Sequence, residues 1–152
     1  MISLPGIFHI GQEAFSGCTK LVSAYFKRTV WDYNPDTTPP EAGTEPATSH
    51  VDGVISNKAF AGCTSLKTIE APYFKTLKEE VFKKCTSLSS ISLPRITTVG
   101  EKAFIDCTSL TYVSLPKCTT LAKNAFTGCD QLTSINIGTN STSNIFSAKT
   151  TL

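Results

Sequence analysis

Six cysteines stand out as residues that could do chemistry. Thiolates bind zinc and carry redox reactions, but a zinc site needs closely spaced ligands such as C-x-x-C. No two cysteines here are closer than Cys107 and Cys118. Instead, Cys63, Cys85, Cys107 and Cys129 follow one another every 22 residues, and Cys18 precedes Cys63 by 45, two periods plus one. Equal spacing is the mark of a structural repeat. The expected thiols are therefore reduced and buried, acting as small apolar side chains, with Cys118 in the core as well. Adjacent repeats would bring Cα atoms near the ~4.4–6.8 Å of a disulfide, but five thiols in one register cannot all pair.

The remaining candidates are weaker. His9 lies between Phe8 and Ile10 in a segment read as turn-forming, and His50 lies near Asp52. Ser49, His50 and Asp52 have the residue types of a hydrolytic triad, yet a loop with no nucleophile elbow supplies no fixed geometry. Asp32, Asp36, Glu41 and Glu45 carry charge suited to calcium but lack the alternating ligand spacing. The expectation is no catalytic residue, no metal and no cofactor. A net charge of +2 gives no support to nucleic-acid binding. No run approaches the ~18 apolar residues of a membrane helix. Met1-Ile2-Ser3-Leu4-Pro5 contains no basic region leading into an apolar stretch, so no secretory signal is read there.

The elements that carry these residues are repeats. The pattern A-F-x-x-C-x-x-L occurs at Ala14–Leu21, Ala59–Leu66, Val81–Leu88, Ala103–Leu110 and Ala125–Leu132, with Val81 the one departure from the leading Ala. Between copies, apolar residues alternate with polar ones, as in Ile91-x-Leu93, which is the period of a strand. Strands are expected near residues 68–71, 90–93, 112–115 and 134–137. Pro72, Pro94 and Pro116 end three of them by removing a donor. A second apolar pair follows, Ile96 and Val99 in one copy, and Gly100 permits a turn there. Lys78 and Ala122 at the same position imply that Gly is not required. One unit cannot bury its apolar residues alone, so units are expected to stack, Phe on Phe, Cys on Cys and Leu on Leu.

The segments Cys85-Thr86-Ser87-Leu88-Ser89-Ser90-Ile91-Ser92-Leu93-Pro94 and Val99-Gly100-Glu101-Lys102-Ala103-Phe104 closely resemble the BspA-like, or Treponema-type, leucine-rich repeat. The resemblance covers residues 1–27 and 55–137. It implies an α/β repeat class that is mostly β: a right-handed solenoid of about five to six 22-residue turns, one parallel sheet on its concave face and little helix. It also implies display at the cell surface or outside the cell, adhesive or protein-binding roles, and no shared catalytic residues.

The chain reads as one solenoid domain over 1–152 with an insertion at 29–54. The insertion holds four prolines and five acids and no Lys or Arg, leaving fourteen bases against seven acids on the body. An acidic flap could dock on that body, though exposed charge pairs are weak. Strand alternation places Ser23, Thr68, Ser90, Tyr112 and Ser134 in one outward column. Tyr25, Glu70, Ser92, Ser114 and Asn136 form the next. Within these columns Tyr25, Glu70, Tyr112, Ser92, Ser114 and Asn136 are the candidate binding residues, for a protein or glycan partner. Trp31 and Tyr33, at the root of the insertion, form a second candidate. Two readings stay open: a binding module, and a spacer or assembly segment of a longer surface array. Apolar residues at the ends of the stack favour end-to-end association in either case.

Overall fold

Residues that alternate between apolar and polar must turn every second side chain inward, and each such segment is a strand. In a computed structural model the described residues are 1–26 and 52–138. Eleven strands run through them: β1 Ile2–Ser3, β2 His9–Ile10, β3 Ser23–Tyr25, β4 Gly53–Ile55, β5 Thr68–Glu70, β6 Phe74–Leu77, β7 Ser90–Ser92, β8 Thr98–Val99, β9 Tyr112–Leu115, β10 Thr120–Leu121 and β11 Ser134–Ile137. None of the described residues is helical. The chain makes five full rungs, each with an odd-numbered strand, a corner, an even-numbered strand and an A-F-x-x-C turn, and then enters β11.

All pairing is parallel. The odd-numbered strands form one face in two halves, β1-β3-β5 and β7-β9-β11, with β5 and β7 side by side at the join. The even-numbered strands form a continuous five-stranded sheet, β2-β4-β6-β8-β10. This second sheet corrects the expectation of a single one. Ile96 and Val99 both point inward, and the residues between them pair with the neighbouring rungs, Thr98 with Thr76 and Thr120. His9 accordingly sits in a strand, not in a turn. The insertion falls between the two strands of one rung. β4 resumes at Gly53, two residues before the expected Ile55.

The turns explain the repeated motif. Within Ser56–Cys63, donors alternate in direction. Ala59, Ala61 and Cys63 donate back to Ser56, Lys58 and Phe60, while Lys58, Phe60 and Gly62 donate to Glu79, Val81 and Lys83 of the next rung. Swinging those donors along the axis needs left-handed backbone at two positions per turn. They are occupied by Glu13 and Gly17, Lys58 and Gly62, Glu80 and Lys84, Lys102 and Asp106, and Asn124 and Gly128. Each non-glycine residue there costs about 1 kcal/mol or more, which the hydrogen bonds between rungs must offset.

Between these two positions the motif faces inward. The rings of Phe15, Phe60, Phe82, Phe104 and Phe126 stack, with centroids 5.1, 5.6, 5.2 and 5.1 Å apart. Each pair adds about 0.5–1.5 kcal/mol beyond its burial. Phe26 fills the space between two rungs, edge-on to Phe60 and Phe74. The cysteines do more than fill volume. The Sγ atoms of Cys63, Cys85, Cys107 and Cys129 donate to the carbonyls of Phe15, Phe60, Phe82 and Phe104, at 3.0, 3.2, 3.1 and 3.0 Å. All six thiols are free.

Two expectations fail locally. Phe15 is half-buried and Cys18 exposed, because among the described residues their rung is covered on one side only. Gly100 is required where it stands. A Cβ there would lie 2.6 Å from the carbonyl carbon of Lys78, a backbone atom that cannot yield.

Phe104 is fully buried between two rings. Phe104→Ala is expected to cost about 3–5 kcal/mol, read as a fall in the urea midpoint. Burial also raises the thiols of Cys85, Cys118 and Cys63, the last to about 11, with the Cys18 thiol a lesser cause. The adjacent Cys129 thiol, then burial, raises that of Cys107. An unfolded thiol ionises near ~8.5, so above that pH the unfolded chain binds fewer protons than the folded one. Stability from these groups is therefore full below about pH 8.5 and falls as pH rises toward 11. Urea midpoints measured between pH 7 and 10 should show that decline, and show it reduced in Cys85→Ala relative to the same variant's neutral-pH midpoint.

Candidate binding surface

The odd-strand face is set by register. Ser23 pairs with Thr68 and Tyr25 with Glu70. Ser90 and Ser134 flank Tyr112, and Ser92 and Asn136 flank Ser114. The two columns read from alternation therefore exist, but the face divides between β5 and β7. Tyr25 and Glu70 lie in one half, and Ser92, Ser114, Asn136 and Tyr112 in the other. Tyr25 and Tyr112 are three rungs apart, about 14 Å at ~4.8 Å per rung. They can share one ligand only if it is extended.

Exposure sorts the candidates. Glu70, Ser92 and Asn136 are exposed and Tyr25 is half-buried. Ser114 is not an exposed contact as expected. It is 9% exposed, because the longer Asn136 on the next strand donates through Nδ2 to its Oγ at 3.4 Å. Tyr112 is 40% exposed. Serines on both sides in its column leave the ring standing clear. The surrounding hydroxyls are ordered along the axis: Thr111 Oγ1 donates to the Ser89 carbonyl at 2.9 Å and Thr133 Oγ1 to the Thr111 carbonyl at 3.3 Å. The face is thus a hydroxyl-lined surface carrying Glu70 as its charge. Trp31, Tyr33, His50 and the acids Asp32, Asp36, Glu41 and Glu45 lie outside the described residues.

Two arrangements escaped the sequence reading. At the corners after β5, β7 and β9, the residue following the proline forms a further column, Tyr73, Arg95 and Lys117. The Arg95 guanidinium lies 5.8 Å above the Tyr73 ring centroid. The signal was present in Pro72-Tyr73, Pro94-Arg95 and Pro116-Lys117 but needed the corner geometry to show that these side chains align. On the other sheet, Ser56 Oγ and His9 Nε2 meet at 3.3 Å. A serine with a histidine has two members of a hydrolytic triad, but among the described residues no carboxylate orients this imidazole. No group of three His, Cys, Asp or Glu among the described residues could hold a metal ion. No helix among them is long and apolar enough to cross a membrane.

The sequence matches the family described as BspA type leucine-rich repeat region, in six copies over residues 1–35 and 52–152. No curated protein matches it. Three solved structures are similar. The T. pallidum leucine-rich repeat protein is 24% identical with a TM-score of 0.64, over 90% of this chain and 73% of that one. A leucine-rich cell surface protein from Faecalibacterium prausnitzii is 24% identical with a TM-score of 0.66, over 99% of this chain and 35% of that one. A leucine-rich repeat protein from Bacteroides ovatus is 28% identical with a TM-score of 0.58, over 88% of this chain and 36% of that one. The chain thus spans about a third of the length of the last two.

Proposed function

The chain belongs to the BspA-type leucine-rich repeat family, and we propose that it is a non-enzymatic binding module that presents its odd-strand face, outside the cell, to an extended protein or glycan. The observation that carries this reading is Tyr112, a large aromatic 40% exposed amid serines and threonines on a paired sheet. Rigid aromatics ringed by small polar groups are the usual anchors of binding surfaces. Glu70 and Tyr25, at the far half of the face, would meet the other end of the ligand. Ser92 would supply a hydrogen bond between them, and Asn136 one on the far side of Tyr112. The cell-surface name of the F. prausnitzii relative supports display outside the cell. Trp31 and Tyr33 are the alternative anchors.

One observation favours a second reading, a segment of a longer surface array. Among the described residues, half-buried Ile2, Leu4, Ile7 and Phe15 lie at one end of the stack, and Ile135 and Ile137 at the other. Apolar residues so placed suit continuation onto further rungs, or end-to-end association with a second copy.

A glycan array and a pull-down from extracellular matrix identify the partner. Tyr112→Ala should then weaken it by about 2 kcal/mol or more, Tyr25→Ala and Glu70→Ala by less, with thermal midpoints unchanged. Full affinity in the Tyr112 variant, together with loss on deleting residues 29–51, would move the site to Trp31 and Tyr33.

A further inference from the structure

Four cations of the solenoid body are matched to carboxylates among the described residues. Lys58 and Lys83 reach Glu80 at 3.9 and 3.1 Å, Lys102 reaches Glu101 at 3.1 Å, and Lys75 is bonded to Asp52. Arg95 and Lys117 are not among these four, and they stand in register at one corner. Arg95 is the one charged residue from Ser89 to Gly100, and Lys117 the one from Cys107 to Ala122. They follow Pro94 and Pro116 at the same corner of successive rungs, so their backbones lie one rung apart, about 4.8 Å. Neither has a carboxylate partner among the described residues. The nearest acid by register is Asp52, since Gly53 pairs with Phe74 and places Asp52 alongside Tyr73. That acid is already held by Lys75. Like charges stacked at this spacing repel, and no carboxylate among the described residues pairs with them. Tyr73 holds the guanidinium from one side and leaves its outward donors available.

We propose that the Tyr73–Arg95–Lys117 corner is a binding site for an anionic polysaccharide, a chain carrying one carboxylate or sulfate per sugar and lying along the solenoid axis. This rests on the reading of the chain as a binding module and names a ligand class for an edge of its surface. Spacing selects the class. One cation per rung matches one charge per sugar, because a rung and a sugar residue advance by nearly the same length. In an extended acidic peptide, side chains on one face recur about every 6.6 Å, which drifts out of step with ~4.8 Å rungs. The corner is also lined by neutral hydroxyls, Ser92 before Pro94 and Thr97 and Thr119 after the prolines. The last two donate to the carbonyls of Lys75 and Thr97 at 3.2 and 3.3 Å, leaving their oxygens able to accept from sugar hydroxyls.

The test is calorimetric titration of the full chain at physiological salt with polygalacturonate, dextran sulfate, neutral dextran and poly-glutamate. Polygalacturonate or dextran sulfate should bind, which of them distinguishing carboxylate from sulfate, with neutral dextran inert and poly-glutamate weaker. R95S/K117S should lose at least tenfold in affinity for the polyanion, whereas K67S/K123S, with the same loss of charge, should lose less than threefold. Thermal midpoints of both variants establish that each is folded. Equal losses in the two variants, tighter binding of poly-glutamate, or no polyanion binding would each overturn the proposal. Polyanion binding lost in Tyr112→Ala but kept in R95S/K117S would also overturn it, while supporting the Tyr112 face. Binding lost in R95S/K117S but kept in Tyr112→Ala places the anion site at the corner, independently of that face.

Discussion

The carbonyl of each ladder phenylalanine is the atom on which the solenoid depends. It has two lone pairs, and in four of the five rungs the structure uses both. The Phe60 oxygen closes its own turn by accepting from the Cys63 N–H at 3.1 Å, and joins the next rung by accepting from the Cys85 thiol at 3.2 Å. The same arrangement recurs at Phe15, Phe82 and Phe104. Local closure and stacking therefore share one acceptor. Alanine at the cysteine position would leave a buried lone pair unmet, and serine would place a more polar group among stacked rings. A thiol is small and apolar enough for the core, yet still donates. This is the physical reason for a cysteine column in a protein with no disulfide and no metal site among its described residues.

Because each rung contacts its two neighbours, stability accumulates along one dimension. The inward and turn positions are fully committed to that stack. The outward positions on both sheets and at the corners are not. Fold and exposed surface are thus written in different residues of the same repeat, and substituting Tyr112 or Lys117 leaves the ring stack untouched.

This division decides what could be read without coordinates. The Phe and Cys ladders and the odd strands were legible because burial imposes a period that repeats five times. The pairing of Tyr25 with Glu70, and of Ser92 with Ser114, followed from the same period. Four features did not follow. Ser114 is covered because Asn136 is long enough to reach it, a property of the neighbour and not of the column. Gly100 is needed by its distance from Lys78 alone, so comparison with Lys78 and Ala122 at the equivalent position misled. The second sheet and the Arg95–Tyr73 stack depend on how the chain bends after proline, and no periodicity encodes that angle.

The insertion has a consequence for how such chains diversify. It leaves after Phe26, which is buried, and returns at Asp52, which is tied to Lys75. On either side the ladders run without a gap, Tyr25 to Glu70 on one sheet and Ile10 to Ile55 to Leu77 on the other. The 23 residues beyond the normal spacing therefore add loop-closure entropy but break no rung. That cost rises only slowly, by about 0.6 kcal/mol per doubling of length. The corner after an odd strand is a neutral port: segments of almost any length and composition can enter and leave there while selection on the core continues unaltered. New surface chemistry can be acquired at this point by insertion, without remodelling the scaffold that displays it.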